Sequence, residues 1–271
     1  DAQPVERHPA GCLQTRPPLV QGHRIAQVGE AEVVQQDPLD DDAFTLAKRI
    51  KKKCEEVPIV VLTHFNREVS MRLQHEDLSA IDHVFCWLGN ADLLLAIIKL
   101  IEDKMNAPFD IDQIGVQCII LVEDSIRYTS TYLPELYKIV MQQSRNFVTE
   151  ALNEHQKMLR MRGRPKILLA KTYDEAMALY GRYKDNLLGI ITDVSFKKGD
   201  KREKERKLGI TLVEQMRKED PHLPALMQSS DLSNKELAET MGVGFMHKYS
   251  KSLSLELRNY IIQNFAFGSF I

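Results

Sequence analysis

This 271-residue chain lacks any excess of positive charge: 36 Lys and Arg stand against 38 Asp and Glu, a formal net charge of −2. No global basic field therefore points to nucleic acid. No apolar run approaches the ~18 residues of a membrane-spanning helix, so no membrane span is expected. A basic-then-apolar signal segment is also missing, since the opening residues carry Asp1, Glu6 and several prolines. Cysteine is scarce, and Cys12, Cys54, Cys86 and Cys118 have neither CxxC nor metal-ligand spacing. Cys86 and Cys118 lie in apolar strands and read as buried thiols. The pattern fits a cytoplasmic protein, and the length leaves room for about two domains.

What is present begins with Leu121-Val122-Glu123-Asp124-Ser125. It closes an apolar run, Val116-Gln117-Cys118-Ile119-Ile120, that reads as a buried strand. Two adjacent carboxylates at a strand end repel each other unless a cation sits between them. The carboxyl edge of an α/β sheet is where such folds place their ligands. Three more strands deliver polar residues at the same end. Leu187-Leu188-Gly189-Ile190-Ile191-Thr192 ends in Asp193, Leu223-Pro224-Ala225-Leu226-Met227-Gln228 ends in Ser229-Ser230, and Val243-Gly244-Phe245-Met246-His247 ends in Lys248. A strand without site residues, Lys166-Ile167-Leu168-Leu169-Ala170, falls after the first. Helical patterns at 172–183, 210–219, 234–241 and 252–264 separate and follow the later strands. Right-handed βαβ crossovers would bring the four functional ends to one edge of a parallel sheet.

This constellation resembles the receiver domain of bacterial two-component response regulators, over about residues 113–271. The resemblance implies a doubly wound, flavodoxin-like parallel five-stranded sheet. It implies that Glu123 and Asp124 are the acidic pair that binds magnesium (Mg²⁺), together with Asp193 and the backbone carbonyl of Ser195. It implies that Asp193 accepts a phosphoryl group, that Ser229 bonds the phosphoryl oxygen, and that Lys248 neutralises it. Phe245 would be the aromatic whose rotamer reports activation. The family usually has Pro after the lysine; here Tyr249 stands there. A histidine kinase or phosphotransfer protein would be the donor partner. No independent catalytic activity is expected beyond phosphorylation and dephosphorylation of the aspartate. A carboxylate attacks phosphorus poorly unless the phosphoryl charge is neutralised, which explains the clustering of metal ligands and lysine.

The first half reads as a degenerate receiver-like copy over residues 1–106, joined by a linker at 107–114 to the receiver at 115–271. Val57 to His64 is a strand ending in Thr63, as a fourth receiver strand would, and Asp82 to Trp87 is a fifth. Residues 43–54 form an amphipathic helix ending in Lys51-Lys52-Lys53, and residues 91–105 a last helix with Leu93, Leu94, Ile97, Ile98 and Ile101 on one stripe. Trp87 stands where the lysine belongs, and no acidic pair ends a strand upstream. Asp40, Asp41 and Asp42 read as a helix-capping run. Only two strands of this copy are clear, so it is expected to be incomplete and inert to phosphorylation.

Two features depart from an ordinary receiver. Residues 130–161 predict one long helix of about 45 Å at 1.5 Å per residue, with Pro134 in its first turn. Leu133, Tyr137, Val140, Phe147, Ala151 and Met158 follow a 3–4 spacing, which suits contact with the first domain or a homodimer through this helix. His155 lies on it, flanked by Glu154. The second departure is a charged insert at 197–207 after Asp193, read either as a solvated loop or as a basic lid, with Gly209 as its closing glycine.

A degenerate copy, a receiver with a long first helix, and the ending Asn264-Phe265-Ala266-Phe267-Gly268-Ser269-Phe270 are similar to the N-terminal regulatory region of phosphoenolpyruvate synthase-type proteins. That resemblance implies an output domain outside this sequence. No helix-turn-helix is expected, so a transcription-factor output is not. Two functions compete: a phosphorylation-dependent signalling module acting through Asp193, and a non-phosphorylated docking or dimerisation scaffold.

Overall fold

The computed structural model describes residues 32–35, 43–64, 77–149, 163–199 and 204–265, with the side chains of 32–35 and 146–149 excepted. Internal contacts divide the chain into Asp1–Cys86 and Trp87–Ile271. The first unit holds β1 (Glu32–Gln35), α1 (Ala43–Lys53), β2 (Ile59–His64) and all but the last residue of β3 (His83–Trp87). These strands form a sheet in the order β1-β2-β3, with β1 parallel to β2. Ala47 of α1, Ile59 and Ala80 pack together beneath it. The last turn of α1 is held by Lys51, whose ammonium donates to the Glu55 carbonyl at 3.1 Å, as suits the negative end of a helix. Thr63 is buried near the end of β2 and Trp87 closes β3. Asp40, Asp41 and Asp42 lie outside the described residues.

The second unit opens on α2 (Asp92–Asp110). It continues through β4 (Cys118–Val122), α3 (Ile126–Thr149), β5 (Lys166–Ala170), α4 (Tyr173–Tyr183) and β6 (Leu187–Asp193). A short hairpin, β7 (Phe196–Lys197) and β8 (Lys204–Glu205), follows. Then come α5 (Leu208–Arg217), β9 (Ala225–Ser229), α6 (Asn234–Thr240), β10 (Gly244–His247) and α7 (Leu253–Asn264). Five strands form one parallel sheet in the order β10-β9-β6-β4-β5. In chain order of the strands that is 2-1-3-4-5, the flavodoxin-like arrangement. All five residues of β4 and of β9 are buried, as befits strands of a parallel sheet with helices on both faces. Among the described residues no helix is long and apolar enough to cross a membrane.

Several expectations about boundaries need correction. The linker expected at 107–114 is instead the end of α2 and the turn after it, and Pro108 lies inside that helix. Burial overrides the proline there: Ala107 and Ile111 pack with Cys118, Leu168 and Tyr183. The helix therefore belongs to the second unit, where it packs on α3 and β5. Its buried stripe is also rotated from the expected one. Leu93, Ala96, Ile97, Leu100 and Ile101 are inside, whereas Leu94 and Ile98 are exposed. The long helix begins at Ile126 rather than at 130, which puts Pro134 in its third turn. Tyr132, Leu133, Leu136, Tyr137 and Val140 are buried against the rest of the unit. The expected continuation through Ala151, His155 and Met158 lies outside the described residues, as does the side chain of Phe147.

One buried ionic cluster ties α2 to this unit. Asp103 is fully buried, and its carboxylate accepts from both terminal nitrogens of Arg164 at 3.0 and 2.6 Å. It also accepts from the Tyr137 hydroxyl at 2.8 Å and from the Ile167 N–H at 2.9 Å. Asp103 thus joins α2, α3 and the start of β5 through a bidentate pair, the strong form of such a bond.

Candidate functional site

The strand order reverses direction on either side of β4, and a crevice at such a switch point is the usual ligand position in open α/β sheets. Glu123 and Asp124 follow β4 directly, and Asp193 ends β6 beside it. The carboxylates of Glu123, Asp124 and Asp193 can each offer an oxygen within 4.8 Å of the others. Backbone bonds fix two of them. Glu123 donates its N–H to the Ala170 carbonyl and accepts the Ser125 N–H at 3.0 Å. Asp193 Oδ1 accepts from the N–H of Val194 at 2.7 Å and of Ser195 at 3.4 Å.

Lys248, just beyond β10, reaches back into this cluster. Its ammonium donates to Glu123 Oε2 at 2.6 Å and to Asp193 Oδ2 at 2.7 Å. All three groups are buried. Burial pushes the Glu123 carboxyl up to about 7, with Lys248 pulling it down and Asp193 pushing it further up. Carboxylates crowded this closely resist full ionisation unless cations join them.

Asp124 has a different partner. Its Oδ1 accepts from Lys204 of β8 at 2.6 Å, while Oδ2 is buried with no hydrogen-bond partner. Its side chain is only 3% exposed. An unpaired buried carboxylate oxygen is costly, and two further carboxylates lie close to this residue. The oxygen donor set suits a hard divalent ion, Mg²⁺ or one like it, that accepts carboxylate and carbonyl ligands. The residues present therefore fit such an ion.

Ser229 ends β9 opposite His247 of β10. Its hydroxyl oxygen accepts from the Asp231 N–H and the Asn234 amide, both at 3.0 Å, which leaves its own O–H to donate. The N–H of Lys248 donates to the Ser229 carbonyl at 2.9 Å, so the two residues are locked in register. Phe245 is partly buried against the core that includes Val243 and Met227. Gly209 has a steric function: its N–H donates to the Val194 carbonyl, and a Cβ there would collide with the Asp193 carbonyl oxygen. No other residue lets α5 start so close beneath Asp193.

Sequence reasoning missed an aromatic wall beside the lysine. The Lys248 ammonium sits 4.2 Å from the centre of the Tyr128 ring, a cation–π distance. Tyr128 stacks on Tyr132 and meets Tyr249 edge-on. Tyr249 is exposed and also meets His247 edge-on. The Tyr132 hydroxyl and both polar atoms of Gln228 are buried without a hydrogen-bond partner. The signal for Tyr128 and Tyr132 was their i, i+4 spacing on the helix after the acidic pair. For Lys204 no sequence signal separated it from its charged neighbours.

No protein-family profile matches the chain, and no curated protein matches it. Among solved structures, the chain is similar to one described as a response regulator receiver domain protein from Clostridium thermocellum. The identity is 18%, the match covers 54% of this chain and 95% of that one, and the TM-score is 0.35. The strand order described above, rather than this overlap, carries the fold assignment.

Proposed function

We propose that the second unit is a phosphorelay receiver that accepts a phosphoryl group on Asp193. The observation that supports this best is Lys248 bonded at once to Glu123 and Asp193, with Asp124 holding an unpaired buried oxygen beside them. Glu123, Asp124 and Asp193, with the carbonyl of Ser195, would hold Mg²⁺. When bound, that ion would neutralise charge on the incoming phosphoryl oxygens. The chain's own residues do the rest. Val194 and Ser195 N–H groups orient the Asp193 carboxylate. One of its oxygens forms a bond to phosphorus as the bond from phosphorus to the donor breaks. Lys248 shifts its donation toward the new phosphoryl oxygens, and the Ser229 O–H turns to meet them. The product adds close to two negative charges at the end of β6, and Ser229 and Phe245 carry that change to the face beside β9 and β10.

The donor class is a phosphohistidine of a kinase or phosphotransfer protein, and the output would be a domain or partner contacted through the helical faces. The first unit, with Thr63 and Trp87 at the corresponding strand ends, would be a non-accepting companion. The likeness to the regulatory region of phosphoenolpyruvate synthase-type proteins belongs to the same proposal. A second reading, a docking scaffold that is never phosphorylated, is favoured by one observation: two lysines already pair all three carboxylates. Incubation with Mg²⁺ and acetyl phosphate, followed by intact-mass measurement, separates the two. A single added phosphoryl group that disappears in Asp193→Asn supports the receiver. No added mass, or mass that persists in Asp193→Asn, refutes it.

A further inference from the structure

Lys204 lies in the charged segment that an ordinary receiver lacks, eleven positions past Asp193 in sequence and eighty from Asp124. The hairpin that carries it is anchored at several points. Phe196 is fully buried in the core of the unit. β7 and β8 pair antiparallel, with Phe196 opposite Glu205 and Lys197 opposite Lys204. Lys197 also bridges to Thr172, and the Lys198 carbonyl accepts the Asp174 N–H at 3.0 Å. After the hairpin, Lys207 takes a left-handed backbone with φ of 60°, and α5 starts at Leu208. The segment is therefore pinned between the end of β6 and the start of α4, and its return strand delivers one ammonium onto Asp124.

We infer that Lys204 is a tethered cation that competes with a divalent ion for Asp124, an inference that rests on the divalent site proposed above. Charge balance supports competition rather than cooperation. Glu123, Asp124 and Asp193 bring three negative charges, and Lys248 brings one positive. A divalent ion then neutralises the cluster, whereas a divalent ion together with Lys204 leaves it positive by one. Space points the same way, because Lys204 already sits 2.6 Å from Asp124 Oδ1, and an ion that binds oxygens at about 2.0–2.1 Å leaves no room for an ammonium on that same lone pair. The two partners of this ion pair differ in exposure. Asp124 is 3% exposed, but the Lys204 side chain is 49% exposed and has solvent to retreat into. Burial works against the charge on Lys204, yet the bond to Asp124 and the nearby carboxylates outweigh it and hold the ammonium above its ordinary range. The free oxygen Oδ2 gives an entering ion its first ligand before Lys204 leaves. Uptake of the ion is then linked to release of Lys204, and by reciprocity anything that draws the hairpin away tightens the cation site.

The test is calorimetric titration of the whole chain with Mg²⁺, comparing wild type with Lys204→Met, Lys204→Gln, Lys204→Arg and Asp124→Asn. Circular dichroism checks that each variant is folded. Loss of a half-exposed ion pair should tighten Mg²⁺ binding by about two- to fivefold in Lys204→Met and Lys204→Gln. Lys204→Arg should stay near wild type, and Asp124→Asn should weaken binding sharply. Binding that is unchanged or weaker in both uncharged variants, while Asp124→Asn still weakens it, overturns the competition and leaves the divalent site standing. Binding that Asp124→Asn does not affect overturns the site itself and this inference with it.

Discussion

Lys248→Met removes the ammonium that joins two buried carboxylates and leaves an apolar side chain of similar length in its place. Lys248 is 3% exposed, Glu123 is fully buried and Asp193 is 10% exposed at the side chain, so water cannot replace the lost charge. Breaking a buried pair by removing one partner costs about 3–5 kcal/mol, because the remaining charge stays buried. The cost should depend on pH, and Glu123 sets how. In the wild type its carboxyl titrates near 7 in the folded state, against about 4.3 when unfolded. Between those values the folded state holds a proton that the unfolded state has lost, so stability falls as pH rises and levels off above about 7. Lys248 is one of the influences that lower this carboxyl. Without it the folded value climbs, and the loss continues to higher pH. The deficit of Lys248→Met should therefore be about 3–5 kcal/mol at pH 8 and smaller at pH 5, where Glu123 is protonated in both proteins. Adding Glu123→Gln should recover part of the deficit at pH 8, since it removes one of the two carboxyls left without the ammonium. Urea unfolding at a series of pH values measures all four corners of that cycle. A deficit under about 1 kcal/mol, or one that does not grow with pH, would show that the Lys248 bonds to Glu123 and Asp193 contribute little.

Further expectations follow from the same packing. Asp103→Ala strands the Arg164 guanidinium, the Tyr137 hydroxyl and the Ile167 N–H; it should cost about 3–5 kcal/mol in urea unfolding. A shortened chain starting at Val116 should be far less stable to heat than one starting at Trp87, because it loses α2 and Asp103; equal midpoints would return α2 to the first unit. Gly209→Ala should cost about 1–3 kcal/mol from the collision with the Asp193 carbonyl, and it should lower acetyl phosphate labelling of Asp193 as well. Phe147→Glu with Leu152→Glu should lower the mass measured by light scattering or the thermal midpoint; unchanged values of both would show that these two residues form no interface.

The sheet was legible in the sequence because parallel strands buried on both faces carry a signal that needs no tertiary knowledge. Cys118-Ile119-Ile120-Leu121-Val122 and Leu188 to Ile191 are apolar at every position or nearly so, and their polar ends mark one edge. The order of Glu123, Asp124, Asp193, Ser229 and Lys248 along the chain was enough to expect their convergence, and Lys248 does meet Glu123 and Asp193. Helix ends were less legible. Pro108 reads locally as a breaker, but the burial of Ala107 and Ile111 is a tertiary fact that outweighs one lost hydrogen bond. The same limit hid the membership of α2. Asp103 falls at helical spacing between Leu100 and Ala107, on the buried stripe, so a lone acid on an apolar face was the available sign of a buried partner; the identity of that partner, Arg164, lies 61 positions away and has no local signature. Lys204 is the extreme case. It is one of several lysines in a charged run, any of which a solvated loop would carry. What selects it is the antiparallel register of two two-residue strands, Lys197 opposite Lys204, set by burying Phe196 and by the bond from Asp174 to Lys198. A shift of that register by one residue would turn Lys204 to the other face and break its bond to Asp124. The pairing of Lys204 with Asp124 is thus decided by strand register, which composition does not encode.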